Sequence, residues 1–125
     1  MGENNHFMAS ALYMKIVNAI HVFVLAPLFV YVGLKAEKTP NIIFMVFLVV
    51  GIVVALYHSY RIFVTYKSVG LVPYIYINLA HILLVAPLLV YVGMKKVKTE
   101  KIIYKALIVF AVTMVLSNGY RLFGK

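Results

Sequence analysis

Nine side chains that could take part in chemistry lie within long apolar stretches of this sequence. They are amides, imidazoles and cations, namely Lys15, Asn18, His21, His58, Arg61, Asn78, His81, Asn118 and Arg121. Inside a membrane such side chains cost free energy, so they mark places where something binds or where they pair with one another. Imidazole exchanges a proton near neutral pH and coordinates metals, so the histidines define the chemistry to consider first.

Six of these residues predict a polar layer between helices: Asn18, His21, His58, Asn78, His81 and Asn118. Residues three apart share one face of a helix, as Asn18 and His21 do. At about 1.5 Å of rise per residue, His21 and His58 lie at similar depths from the loop between them. We therefore expect the layer in the half of the membrane nearer the termini, with Arg61 and Arg121 beside it toward the surface.

Three interpretations compete for this layer. A histidine–asparagine layer could relay protons or gate a water-filled path, which makes proton or ion translocation the first hypothesis. The alternative is a b-type haem, for which His21 and His81 would supply two imidazoles at one depth. Zinc held by those two and His58 is disfavoured because no carboxylate accompanies them, and no metal site is predicted apart from haem. In the structural interpretation the same side chains join helices and set their register.

Two prolines lie near the histidines, each in an Ala-Pro step. Proline within a spanning helix removes one backbone hydrogen bond, so Pro27 and Pro87 predict helix kinks. The carbonyls of Phe23 and Leu83 would lose their partners there. The functional interpretation is a pair of hinges beside the histidines, and the structural one is a static bend.

The elements that must position these residues follow from the apolar composition. Of 125 residues, 65% are apolar and 12% are charged, whereas a soluble domain has about 25% charged residues. Four segments reach the roughly 20 apolar residues that a spanning helix needs, at 9–34, 42–64, 71–94 and 102–123. We predict an all-α integral membrane protein with four transmembrane helices that form a four-helix bundle. The absence of cysteine excludes disulfides and thiolate metal sites.

The chain also repeats itself after sixty residues. Between 18–63 and 78–123, 19 of 46 positions are identical without a gap, which is typical of a duplicated unit. Each repeat holds an even number of spans, so the two repeats are parallel and related by a pseudo-twofold axis along the membrane normal. We predict a polar N-terminus over 1–8, a two-helix repeat over 9–66, a linker over 67–70 and a second two-helix repeat over 71–125.

The net charge of +9 fits a membrane surface better than a nucleic acid, because the chain is so apolar. Four lysines of the hairpin loops are expected at the interface: Lys35, Lys38, Lys95 and Lys98. The hairpin loops and their flanks carry seven basic residues against five on the side of the termini. This excess predicts cytoplasmic hairpin loops and termini outside. The lipid bilayer is the expected partner, with homo-oligomers because small bundles often complete their polar surfaces by association.

Enzymatic activity is not expected from this sequence. It offers no nucleophile–base pair and no phosphate-binding glycine loop. The acids Glu3, Glu37 and Glu100 all lie outside the predicted spans. No carboxylate ring is therefore present to select cations, and Val-Tyr-Val-Gly at 30–33 differs from the Thr-Val-Gly-Tyr-Gly filter of potassium channels.

Two motifs carry a resemblance to known proteins. They are His-x5-Pro-Leu-x-Val-Tyr-Val-Gly at 21–33 and Leu-Tyr-His-Ser-Tyr-Arg at 56–61. The sequence resembles small uncharacterised multi-span membrane proteins encoded by large DNA viruses of algae and protists. The resemblance implies a viral or host membrane, where a structural or assembly role is a further alternative, and it implies no mechanism. The second half departs from the motif, with Ser117-Asn118 in place of tyrosine and histidine.

Overall fold

The computed structural model describes the backbone of residues 2–70 and 73–124, and the side-chain environments of residues 11–67, 70 and 75–124. The described backbone is helical apart from short connections, which confirms the all-α prediction. The first half contains α1 (Gly2–Ile20), a π turn (His21–Leu25), α2 (Ala26–Lys35), a 3-10 turn (Ala36–Lys38) and α3 (Asn41–Val69). The second half contains α4 (Pro73–Ala80), a π turn (His81–Val85), α5 (Ala86–Lys95), a 3-10 turn (Lys96–Lys98) and α6 (Lys101–Phe123).

Four helical segments are long and apolar enough to cross a membrane. We name them span 1 (Ala11–Lys38), span 2 (Asn41–Lys67), span 3 (Ile75–Lys98) and span 4 (Lys101–Phe123). The most apolar stretch of each has a mean hydropathy of 2.0, 2.5, 2.1 and 1.7 in that order. This supports an integral membrane protein, and it confirms the prediction of four apolar helices at these places.

A π turn stands directly before each Ala-Pro step. The N–H of Ala26 donates to the carbonyl of His21, five residues earlier, and the N–H of Ala86 donates to the carbonyl of His81. Proline has no N–H, and its ring would press on the carbonyl four residues earlier in a regular α-helix. Widening the turn by one residue relieves that clash, which explains why the two π turns lie where they do.

Each hairpin connection begins with a residue in a backbone conformation that side chains rarely adopt. Ala36 has a φ of 50° and Lys96 has a φ of 53°. The N–H of each donates to a carbonyl of the helix just ended, that of Val32 or Val92. The positive φ stops the helix and turns the chain toward the next span.

Contacts divide the chain into two compact units. Unit 1 contains the residues up to Ala36 and those from Glu100 onward, and unit 2 contains Glu37–Thr99. In unit 1, α2 packs against α6, and in unit 2, α3 packs against α5. Each unit therefore pairs a span from the first predicted repeat with a span from the second.

Glycine lets the two helices of each unit approach closely. A Cβ atom on Gly93 would stand 2.7 Å from the backbone nitrogen of Leu48, and one on Gly33 would stand 2.9 Å from the carbonyl oxygen of Tyr104. A side chain at either position would collide with backbone atoms of the partner helix. Buried side chains fill the rest of each interface: Phe29, Val32, Leu107 and Ala111 in unit 1, and Phe44, Phe47, Leu89 and Val92 in unit 2.

Candidate functional site

A hydrogen bond between two buried side chains joins the helices of unit 2. His58 of α3 and Asn78 of α4 are only 8% and 2% exposed. Nδ1 of His58 lies 2.7 Å from Oδ1 of Asn78. The amide oxygen accepts, so Nδ1 of His58 carries the hydrogen. Each side chain thereby satisfies a polar group of the other away from water.

A second imidazole stacks on the first. The ring of His81, at the start of the second π turn, lies 4.2 Å from the ring of His58 between centroids, at an interplanar angle of 20°. The ring of Tyr57 packs edge-on against the ring of His58, with centroids 5.1 Å apart and an interplanar angle of 81°. The structure thus brings together three of the six residues predicted for the polar layer. We call His58, Asn78 and His81 the imidazole cluster.

The backbone fixes the tautomer of His81. Its Nδ1 lies 2.7 Å from the carbonyl oxygen of Ile77, one turn earlier on the same helix. A carbonyl can only accept, so Nδ1 is the protonated nitrogen in the neutral ring. The same holds for His58, whose partner is an amide oxygen. In both neutral rings Nε2 is then the nitrogen that can take up a further proton or coordinate a metal.

Unit 1 holds the other three residues of the predicted layer in a different arrangement. Nδ1 of His21 lies 2.7 Å from the carbonyl oxygen of Val17, as in the matching turn of unit 2. Asn18 is buried, with 6% of its surface exposed. Asn118 stands where unit 2 has His58, and its Nδ2 donates to the carbonyl of Met114 at 3.0 Å on its own helix. Among the side chains that the structure describes in unit 1, there is therefore no pair of stacked imidazoles.

The predicted interfacial cations lie at the ends of the helices. Lys35 and Lys95 are the last residues of α2 and α5. Lys38 and Lys98 are the last residues of the two 3-10 turns. All four are exposed. Nζ of Lys95 stands 5.5 Å from the centre of the Tyr91 ring, a cation–π distance.

The two arginines near the opposite ends of the spans differ in burial. Arg61 is partly buried in α3, with its Nε enclosed by protein, whereas Arg121 is exposed in the last turn of α6. Arg61 follows His58 by three residues and so lies within one helical turn of the imidazole cluster.

The described side chains offer few groups that could bind a metal ion. Over the side chains that the structure describes, no group of three or more histidines, cysteines or acids is placed to hold a metal ion. Within the imidazole cluster the two rings are stacked nearly parallel, and lone pairs in parallel planes do not converge on one ion.

Sequence reasoning missed three features of the site: the contact of Tyr57, the π turns and the stacking of the rings. Tyr57 was not among the predicted residues, although its position next to a buried histidine signalled a possible partner. The π turns were also missed, and the signal available for them was the prolines at positions 27 and 87, six residues after each histidine. The stacking of the rings had no counterpart in the sequence.

Comparison with protein-family models, with curated proteins and with solved structures finds no match to this chain. The class of this protein therefore rests on its structure alone. It is a small all-helical protein whose four apolar helices are compatible with a polytopic membrane protein.

Proposed function

We propose that this chain moves protons across a membrane and that the imidazole cluster is the place where they are taken up. The observation that carries the proposal is the stack of His58 on His81, whose ring centroids are 4.2 Å apart. Two rings with the same tautomer each keep one proton-accepting nitrogen, Nε2, within one stacked pair. Imidazole gains and loses protons near neutral pH, which few other side chains do.

The charge inventory favours protons over metal cations. The sequence contains three acids, and the one that falls within a named span, Glu37, lies in the 3-10 turn at the end of span 1. Cation pores commonly line their path with carboxylates or ordered carbonyls, and neither pattern is present in this sequence. A proton needs no such coordination because it binds covalently to a ring nitrogen.

Flux into liposomes tests the proposal. The purified protein is reconstituted in vesicles that contain a pH-sensitive dye, and a pH gradient of one unit is applied across the membrane. We expect proton entry well above that of empty vesicles, and a loss of at least tenfold in His58→Phe and His81→Phe, which keep a flat ring without its nitrogens. Tyr60→Phe, on an exposed residue of the same helix, is the matched control. Equal flux in the histidine variants and the control would refute the role of the cluster.

A b-type haem with His21 and His81 as axial ligands is the second candidate. It is supported by one observation: each of these rings donates from Nδ1 to a carbonyl one turn earlier, at 2.7 Å. Such a bond is typical of histidines that coordinate iron through the other nitrogen. The visible spectrum decides it, because a Soret band lost in His21→Ala and His81→Ala would establish haem. A colourless protein would remove this candidate.

A structural role is the third candidate. The bond from His58 to Asn78 holds two helices together, and such bonds contribute about 0.6 kcal/mol on average in membranes. A protein that is colourless and passes no protons would be left with this role, as a structural or assembly protein of a cellular or viral membrane.

We propose two parallel repeats related by a pseudo-twofold axis, cytoplasmic hairpin loops, and association into homo-oligomers. The recurrence of a π turn, a 3-10 turn and a positive φ sixty residues apart supports the repeat. We further propose that the protein has no enzymatic activity and binds no nucleic acid, since its charge lies at helix ends suited to headgroups.

A further inference from the structure

Span 3 contacts α3 on both sides of its π turn. Before the turn, Asn78 bonds the side chain of His58, and His81 stacks on the same ring. After the turn, a Cβ atom on Gly93 would stand 2.7 Å from the backbone nitrogen of Leu48, which also belongs to α3. The residues before and after the turn must therefore lie on one face of span 3.

A regular α-helix would not place them all on that face. At about 3.6 residues per turn, each residue advances about 100° around the helix axis. Gly93 follows Asn78 by fifteen residues and His81 by twelve. In a regular helix these two would lie about 60° and about 120° to one side of Gly93. With Gly93 against α3, the ring of His81 would then point well away from His58.

The π turn corrects this mismatch by one residue. It contains one residue more than an α turn, because the N–H of Ala86 donates to the carbonyl of His81, five residues earlier. With that residue taken up by the turn, Asn78 and His81 lie about 40° and about 20° from Gly93, on opposite sides of it. The turn thus brings both partners of His58 onto the face that packs against α3.

We propose that Pro87 is a positioning residue for the imidazole cluster. Its ring excludes a regular α turn and so maintains the π turn, which sets the direction of Asn78 and His81. Pro87 itself is exposed and lies six residues after His81, so it acts on the cluster through the helix. The consequence for proton movement rests on the function proposed above, whereas the geometry can be tested separately.

Two changes that each break this register should restore it when combined. Pro87→Ala allows span 3 to become a regular α-helix, which turns Asn78 and His81 about 100° away from His58. Deletion of Leu84, an exposed residue of the π turn, turns them about 100° the other way while the proline remains. Together the two changes give a regular helix that is one residue shorter, in which both residues face α3 again.

Magnetisation transfer between the two rings measures the register. In micelles with isotopically labelled histidine, the ring protons of His58 and His81 should give a nuclear Overhauser cross-peak, since the ring centroids are 4.2 Å apart. We expect this cross-peak to disappear in Pro87→Ala and in the Leu84 deletion, and to return in the combined variant. Pro27→Ala makes the matching change in unit 1 and should keep the cross-peak.

Proton flux in liposomes links the geometry to the proposed function. It should fall at least tenfold in each single variant and recover in the combined one. Flux that does not follow the cross-peak removes the cluster from the proposed function and leaves the positioning role standing. An unaltered protein that passes no protons removes the proposed function, while the cross-peak still decides the role of Pro87.

The cross-peak alone can overturn the positioning role. A cross-peak that is absent from the unaltered protein, kept in folded Pro87→Ala, or not recovered in the combined variant would do so. Where a single variant does not fold, recovery of the folded protein together with the cross-peak in the combined variant supports the role. A proline needed only for folding would not be made dispensable by the loss of a further residue.

Discussion

Residue by residue, the contrast between His58 and Asn118 is the main difference between the two units. The two positions are sixty residues apart and belong to matching helices. His58 reaches across to Asn78, whereas the amide of Asn118 turns back to Met114 on its own helix. A longer side chain with a donor at Nδ1 is what makes the interhelical bond. The imidazole cluster is thus a property of one unit, set by one side chain.

We predict that asparagine at position 58 lowers the stability of unit 2 and that histidine at position 118 raises the stability of unit 1. His58→Asn removes the bond to Asn78 and the ring stack, so the free energy of unfolding should fall by about 1 kcal/mol. Asn118→His can form the equivalent bond to the buried Asn18, and it should raise that free energy by a similar amount. Unfolding in detergent micelles followed by circular dichroism measures both. A destabilised Asn118→His would show that unit 1 cannot accept the cluster geometry.

At the scale of the helices, close packing depends on glycine residues, which have no side chain. Gly93 lies against the backbone of Leu48, while Gly119 of α6 has nothing within 4 Å of the position of a Cβ atom. Proline acts differently, because it widens its own helix by a π turn instead of bringing two helices together. Gly33 and Gly93 are sixty residues apart, as are Pro27 and Pro87 with their π turns, which agrees with the spacing of the predicted repeat.

Alanine at the two glycines should have opposite effects. Gly93→Ala places a methyl group 2.7 Å from a backbone nitrogen, so α3 and α5 must separate, at a cost of about 1–3 kcal/mol. Gly119→Ala meets no atom and removes the entropy cost of a helical glycine, which should stabilise by about 0.5–1 kcal/mol. The unfolding free energies of the two variants decide this. Equal effects would mean that the close approach at Gly93 does not form.

At the scale of the whole chain, each unit pairs spans from different predicted repeats. Unit 2 joins span 2 of the first repeat to span 3 of the second, and unit 1 joins span 1 to span 4. Each predicted repeat thus supplies one span to each unit. A change in either repeat is therefore expected to affect both units.

Paired cysteines can report this pairing, because the natural chain has no cysteine. A Cβ on residue 93 would stand 2.8 Å from that of Leu48, so a disulfide needs a shift of only about 1 Å. We expect Leu48→Cys with Gly93→Cys to cross-link within one chain on mild oxidation. Leu48→Cys with Tyr76→Cys, seventeen residues earlier in span 3, should not. Cross-linking of the second pair alone would contradict the packing of unit 2.

Sidedness can be measured on single cysteines. Glu37→Cys lies in an exposed hairpin turn and Lys67→Cys at the exposed far end of span 2. With cytoplasmic hairpin loops, an impermeant thiol reagent added outside intact cells should label position 67 and not position 37. After permeabilisation both should react. The reverse pattern in intact cells would show the opposite orientation.

The sequence by itself determined the class of fold and the residues that could do chemistry. Apolar runs of helical length can be recognised locally, since each span hides its own backbone polar groups whatever its neighbours are. Histidine, asparagine and proline within such runs are equally visible, as are lysines at their ends. Only the tertiary structure decided which helix faces which, because matched spans present nearly the same surface to either partner. It also decided that His58 stacks on His81, since a ring's orientation depends on atoms from both helices at once.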